Sequence, residues 1–184
     1  MEKQFAPTRL DVKALAQGNG EVSGHDLLSR YERLAQDLQG HGPDFPLNWA
    51  ASGESRLGPD GKPALWLHLS LDTALPLICQ RCLGPVNVPV DIHRSFRFVA
   101  SEDEAMAQDD SVDEDLLVLS REFNLAELIE DELVMEVPLI PRHDVCPVSV
   151  KLEAADADFD APASAKPHPF SGLDKLLGGK QSGN

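Results

Sequence analysis

The sequence predicts an α+β fold, an antiparallel β-sheet or partly open barrel flanked by two or three helices, with an acidic loop and a disordered C-terminal tail. Three observations carry this. Leu65, Leu67, Leu69 and Leu71 alternate with Trp66, His68 and Ser70, the period of two that a half-buried strand requires. Leu125, Leu128, Ile129 and Leu133 instead recur at helical spacing, so one stripe of a helix is apolar. Between residues 45 and 99 the strand-like runs are joined by connections too short for helical crossovers, which makes antiparallel pairing the expectation.

Taken in order, LDVKALAQ at residues 10–17 reads as a helix stopped by Gly18, Asn19 and Gly20, and a short extended piece follows around Glu21–Ser23. Leu27, Tyr31, Leu34, Ala35 and Leu38 then form one helical stripe. Ser23 with Asp26 resembles a capping box before it, and Gly40 supplies its stop. From Phe45 to Val99 the reading is β, with a turn at Pro59, Asp60 and Gly61. In residues 86–99, Val88, Val90, Ile92, Phe96 and Phe98 share a face that Arg94 interrupts. Arg94 is therefore expected at a bulge or at the strand's exit from the core, and Pro89 puts the first half at an edge. Residues 101–115, SEDEAMAQDDSVDED, read as a mobile acidic loop, and LLVLS at 116–120 as a short strand. Asn124 caps the next helix, with Glu127 reaching back toward it, and Pro138 ends it. Residues 1–150 are expected to form a single domain. Residues 151–184, rich in Ala, Asp, Pro and Ser, are expected to be a disordered tail carrying a KPHPF segment.

Composition narrows the function. Aromatic residues make up 5% of the chain, so the core should be built mainly from Leu and Val. There is no run of the roughly 20 apolar residues a membrane span needs, and the N-terminus lacks the apolar stretch of a secretory signal. A cytoplasmic location follows, in which three cysteines stay reduced. The net charge of −15 is uneven: residues 1–100 hold 10 basic against 11 acidic residues, while residues 101–184 hold 6 against 20. Phosphate backbones are gripped by Lys and Arg, so the acidic half suits a basic protein partner better than RNA. A solvated acidic surface that only keeps the chain in solution is the plain alternative.

Four side chains could carry metal chemistry. Cys79 and Cys82 form a Cys-x-x-Cys in LICQRCLGPV between two strands, a turn that aims both thiolates at one point. His143 and Cys146, in PRHDVCP, complete a donor set sufficient for tetrahedral structural zinc, provided the fold closes the gap between the pairs. Reduced cysteines at a turn, with no metal, remain the alternative. A thioredoxin-like role fits poorly, because a strand containing Pro85 and Pro89 follows the motif rather than a helix. Catalysis finds no support: the phosphate-loop, dinucleotide and nucleophile-elbow patterns are missing, and His25, His41, His68, His93 and His168 are scattered.

Three segments, CQRCLGPV at 79–86, LAELIEDELVMEVPLIPRHDVC at 125–146 and KPHPFSGLDKLL at 166–177, together resemble the YceD family of large ribosomal RNA subunit accumulation proteins. The resemblance runs over about residues 10–177. It implies a non-catalytic role in accumulation or processing of the large-subunit (23S) ribosomal RNA and in ribosome assembly. Ribosomal proteins or a pre-50S particle are the expected partners, with no membrane and no small-molecule substrate. The residues singled out for partner binding are Arg81, Glu130, Asp131, Glu132, Pro138, Pro141 and Arg142, with His143 beside them and Phe170 and Leu173 in the tail. A second reading is a direct RNA-binding module using Trp66, Arg81, Arg94 and Arg97 on the sheet, where an aromatic ring and nearby cations would suit single-stranded RNA. A zinc-binding adaptor is a third.

Overall fold

A computed structural model of the chain describes residues 6–38, 41–58 and 61–149. Five strands form one sheet in the order β1 (Glu21–Leu27), β2 (Pro46–Leu57), β3 (Pro63–Ile78), β4 (Pro85–Val99) and β5 (Asp115–Val118). Neighbours pair antiparallel except β4 and β5, which run parallel. The predicted α+β class is what the chain adopts, as an open sheet with four helices: α1 (Val12–Gln17), α2 (Glu32–Asp37), α3 (Glu102–Gln108) and α4 (Leu125–Met135).

The alternation in β3 does what its period requires. Leu65, Leu67, Leu69 and Leu71 are buried on one face, opposite Phe98, Phe96, Arg94 and Ile92 of β4. Onto that face pack Leu10, Val12, Leu15 and Ala16 around α1, Leu34 of α2, and Leu125, Leu128, Ile129 and Leu133 of α4. Each fully buried leucine contributes about 1.5–3 kcal/mol relative to exposure. No described side chain of polar or charged type joins this core. Two glycines make room for close contacts, one with a neighbouring strand and one with α1. A Cβ on Gly24 would come within 2.5 Å of the Trp49 ring, and one on Gly53 within 2.6 Å of the Ala16 nitrogen.

Four expectations are corrected. Residues 21–27 form one strand, so Ser23 and Asp26 make no capping box. The Asp26 carboxylate instead accepts hydrogen bonds from Trp49 Nε1 at 2.9 Å and Tyr31 Oη at 3.0 Å. Seven residue pairs with β2 outweigh the local helical stripe, and α2 begins only after a 3-10 turn at Leu28–Arg30. Leu28 replaces Leu27 in the buried stripe. Pairing of β3 with β4 is continuous from Leu65–Phe98 to Ile78–Pro85, so Arg94 marks no bulge. It leaves the core by an ion pair with Glu132 at 3.4 Å. The acidic stretch contains α3, because Ser101 Oγ accepts from the Glu104 amide at 3.2 Å and caps it. The α4 helix ends at Met135, before Pro138, and its Asn124 cap accepts from the Glu127 amide at 3.3 Å. Pro89 lies in the half of β4 that pairs with β3 alone, consistent with its predicted edge position. Gly40, Pro59, Asp60 and the tail, with Phe170 and Leu173, lie outside the described residues. Among the described residues no helix is long and apolar enough to cross a membrane.

Candidate metal centre

Strand β3 runs out at Ile78 and β4 starts at Pro85, so the turn between them is held by one of the longest hairpins in the molecule. Within it the Cys79 amide donates to the Gly84 carbonyl at 2.9 Å and the Leu83 amide to the Cys79 carbonyl at 2.8 Å. Leu83 adopts φ +58°, a left-handed conformation that costs a leucine about 1–3 kcal/mol and persists where its surroundings demand it. The segment after α4 reaches this turn through Pro141, whose carbonyl accepts from the Gln80 amide at 2.8 Å.

That contact closes the gap left by sequence spacing. The donor atoms of Cys79, Cys82, His143 and Cys146 all lie within 4.8 Å of one another. Cys79 Sγ stands 3.9 Å from Cys146 Sγ, and Cys82 Sγ 3.4 Å from His143 Nδ1. Bonds of about 2.3 Å to sulfur and 2.0–2.1 Å to nitrogen, set tetrahedrally around zinc, require sulfur–sulfur and sulfur–nitrogen separations of about 3.8 and 3.5 Å. The two closest-matched separations meet these values, and with every donor within 4.8 Å of the others the set closes on a tetrahedral ion by shifts of about 1 Å or less. His143 presents Nδ1 inward while its Nε2 faces the Pro85 carbonyl at 3.0 Å. A proton on Nε2 shared with that carbonyl leaves Nδ1 with a free lone pair, the tautomer that a metal-binding imidazole needs.

The electrostatics favour a thiolate at the buried position. Burial pushes the Cys79 thiol up, but hydrogen bonds from the backbone amides of Cys82, His143 and Arg81 outweigh it and bring it to about 5. The Gly84 amide favours the Cys82 thiolate, yet burial and the sulfurs of Cys146 and Cys79 push that thiol up. Three sulfurs this close repel as anions, which a cation among them would relieve.

The remaining sequence-predicted residues separate into groups. Arg81 belongs to the Cys/His cluster: its Nε donates to Cys146 Sγ at 3.0 Å. Glu130 and Asp131 both pair with Arg33 of α2, at 3.1 and 2.6 Å, and Glu132 pairs with Arg94, so the acidic trio ties α4 to its neighbours. Pro138 and Pro141 line a groove of about 300 Å³ with Leu38, Leu77, Ile78 and Gln80, and Arg142 is exposed. The four side chains of the RNA reading are split. Trp66 and Arg97 are paired neighbours on the face away from the core. Arg94 reaches Glu132 and Arg81 reaches the cluster. The Arg56 guanidinium covers the Trp66 ring at 3.7 Å, and Arg97 is held by Glu114 at 3.0 Å and Gln108 at 2.9 Å.

Sequence reasoning missed the apolar side chains around the cluster. Leu83 is 74% exposed, Leu139 99%, Ile140 69% and Val145 85%. No local pattern marks them as exposed, and only the fold turns them outward. It also missed the acidic side chains of α3 and the turn after it, where Glu102, Asp103, Asp109, Asp110 and Asp113 are exposed beside Met106. The run of charge was visible, but not the helix that presents it.

The family model described as "Large ribosomal RNA subunit accumulation protein YceD" matches residues 67–177, a span that contains all four candidate ligands. A protein of Haemophilus influenzae named "Large ribosomal RNA subunit accumulation protein YceD" is 27% identical over 183 residues, covering 96% of this chain and 98% of that protein. No solved structure matches the chain.

Proposed function

The chain belongs to the YceD family, and from that premise we propose that it is a cytoplasmic, non-catalytic accessory factor in the accumulation of large-subunit ribosomal RNA, built around a structural zinc centre. The observation that carries the reading is the family match across residues 67–177, together with the name borne by the relative of nearly equal length. Cys79, Cys82, His143 and Cys146 would hold the zinc. When bound, the ion supplies a cross-link between the β3–β4 turn and the segment after α4. With four protein donors no coordination position is left for a substrate, which suits a structural rather than a catalytic site.

The effect on ribosomal RNA is assigned to contact with a basic protein of the large subunit or its precursor. Net charge supports this, since residues 101–184 carry 20 acidic against 6 basic residues. The exposed acids of α3 and the turn after it offer charge to such a partner, and Pro138, Leu139, Pro141 and Arg142 at the helix exit offer contact area. Phe170 and Leu173 are proposed to add a short docking motif. Glu130, Asp131 and Glu132 can contribute only by exchanging their present arginine partners.

Two measurements test the reading. Freshly reduced protein should carry about one zinc per chain, and Cys79→Ser should lose it; a metal-free wild type would end the zinc proposal. The purified protein should capture individual basic large-subunit proteins in preference to large-subunit RNA fragments. Tight RNA capture that weakens steeply with added salt would overturn the protein-partner reading.

A further inference from the structure

We propose that Arg81 is a positioning residue of the metal centre, clamping the second ligand pair onto the first and balancing the charge of the thiolates. The inference rests on the zinc reading above and deepens it.

Arg81 lies between the two cysteines of the first pair, and its side chain is committed to the cluster. Its guanidinium crosses to the other segment, where Nε donates to Cys146 Sγ at 3.0 Å. Nη2 donates to the carbonyls of His143 at 3.0 Å and Asp144 at 3.2 Å. One residue of the first pair's turn thus touches a sulfur of the second pair and grips the backbone that presents both ligands of that pair. A lysine could supply the charge but not the fork, because only the planar guanidinium reaches a thiolate and two carbonyls at once.

Charge gives the second reason. Three thiolates and a neutral imidazole around a divalent cation leave one net negative charge, and Arg81 is the cation hydrogen-bonded to the set. A thiolate that accepts a charge-assisted hydrogen bond is a weaker nucleophile and a weaker electron donor to its metal. By holding the segment that carries His143 and Cys146, and by offsetting repulsion among the thiolates, Arg81 should slow metal loss, and by drawing charge from the Cys146 sulfur it should slow alkylation there. These commitments leave little of the guanidinium for an RNA phosphate or a protein partner, so a binding role for Arg81 is the competing assignment.

The test compares the full-length wild type with Arg81→Gln, Arg81→Lys and Arg142→Gln, each loaded with zinc or with cobalt as a spectroscopic probe. Arg142→Gln removes one positive charge from the same neighbourhood without touching a sulfur. Zinc transfer to a chromophoric chelator should accelerate about 10- to 100-fold in Arg81→Gln, and less in Arg81→Lys. Arg142→Gln should stay near wild type. The thiolate-to-cobalt charge-transfer band should move to lower energy in Arg81→Gln, and Cys146 should become the cysteine alkylated first by iodoacetamide. Loss of a purely structural contact would leave that band where it is. An Arg81→Gln protein that matches wild type in release rate and in spectrum overturns the proposal for Arg81 alone. A wild type that takes up neither zinc nor cobalt in one-to-one amount overturns both this proposal and the zinc reading.

Discussion

The sheet with its helices and the cysteine turn are held together by opposite means. In the body, apolar side chains point inward: Leu67, Leu69 and Leu71 share one buried cluster with Ile129 and Leu133, and polar groups stay at the surface. At the turn, Leu83, Leu139, Ile140 and Val145 point outward, and what converges inside is sulfur and imidazole nitrogen. Burial can drive the body to close, because each leucine removed from water contributes. It contributes little at the turn, where the short segments 79–84 and 136–146 must still be ordered against each other at a cost in conformational entropy while their apolar side chains stay in water. The difference teaches that the two regions should fail separately. Loss of metal should open the turn and spare the sheet, whereas loss of a core leucine should weaken the sheet and leave ligand geometry intact while the chain stays folded.

Stripping the metal should give the largest effect. With a strong chelator, or in Cys79→Ser, the amides of Gln80, Leu83 and His143 should exchange with solvent roughly a thousandfold faster or more, because under the zinc proposal metal binding and local ordering are one equilibrium. Amides in the centres of β2, β3 and β4 should keep their protection. Collapse of protection across the whole sheet would show that the body depends on the turn and would erase the contrast. Next in size is the core: Leu69→Ala should lower unfolding free energy by about 2–5 kcal/mol in denaturant titrations. Its zinc content per folded molecule should match wild type. Gly24→Ala should follow at about 1–3 kcal/mol, since the added methyl must displace the Trp49 ring. A melting temperature equal to wild type would mean that the Trp49 ring moves aside freely.

How far each region can be read from sequence follows the same division. Strand β3 and helix α4 were legible because their patterns, period two and helical spacing, are local consequences of facing one core. The strand at 21–27 was not, because Gly24 is explained by the ring of Trp49 and Asp26 takes a hydrogen bond from the same residue, 25 and 23 positions along the chain. Helix α3 was hidden since it buries no side chain, leaving only its start signals, the Ser101 cap and the acidic first turn, which also read as part of an acidic loop. Arg94 looked like a defect in an apolar row, and its partner Glu132 sits on another element. The four candidate ligands were legible by type and by spacing within each pair. That the pairs meet depended on a tertiary contact, Gln80 with Pro141, which no local pattern encodes. The same contact explains why Arg81, read as a residue for a partner, is turned toward Cys146.

The smallest predicted effect lies where helix α4 meets the sheet, and its sign is fixed by linkage. Burial raises the Glu132 carboxyl above the ordinary glutamate range, and Arg94 opposes this only in part. A carboxyl raised on folding is held more comfortably protonated in the folded chain. Its charge therefore weighs against the fold, in full, once the pH exceeds the raised folded value, and not at all below the unfolded value. Glu132→Gln keeps the shape and removes that dependence, at the expense of an Arg94 ion pair with a half-exposed guanidinium, an interaction of about 0.2–1 kcal/mol. Relative to the variant, wild type should lose stability as pH rises from the ordinary glutamate range upward, measured as the difference between their denaturant midpoints at several pH values. A difference that stays flat would show that Arg94 fully offsets burial. Zinc retention should be the same in both proteins across that series above the pH at which the ligands protonate, because Glu132 belongs to the body and touches no ligand of the turn.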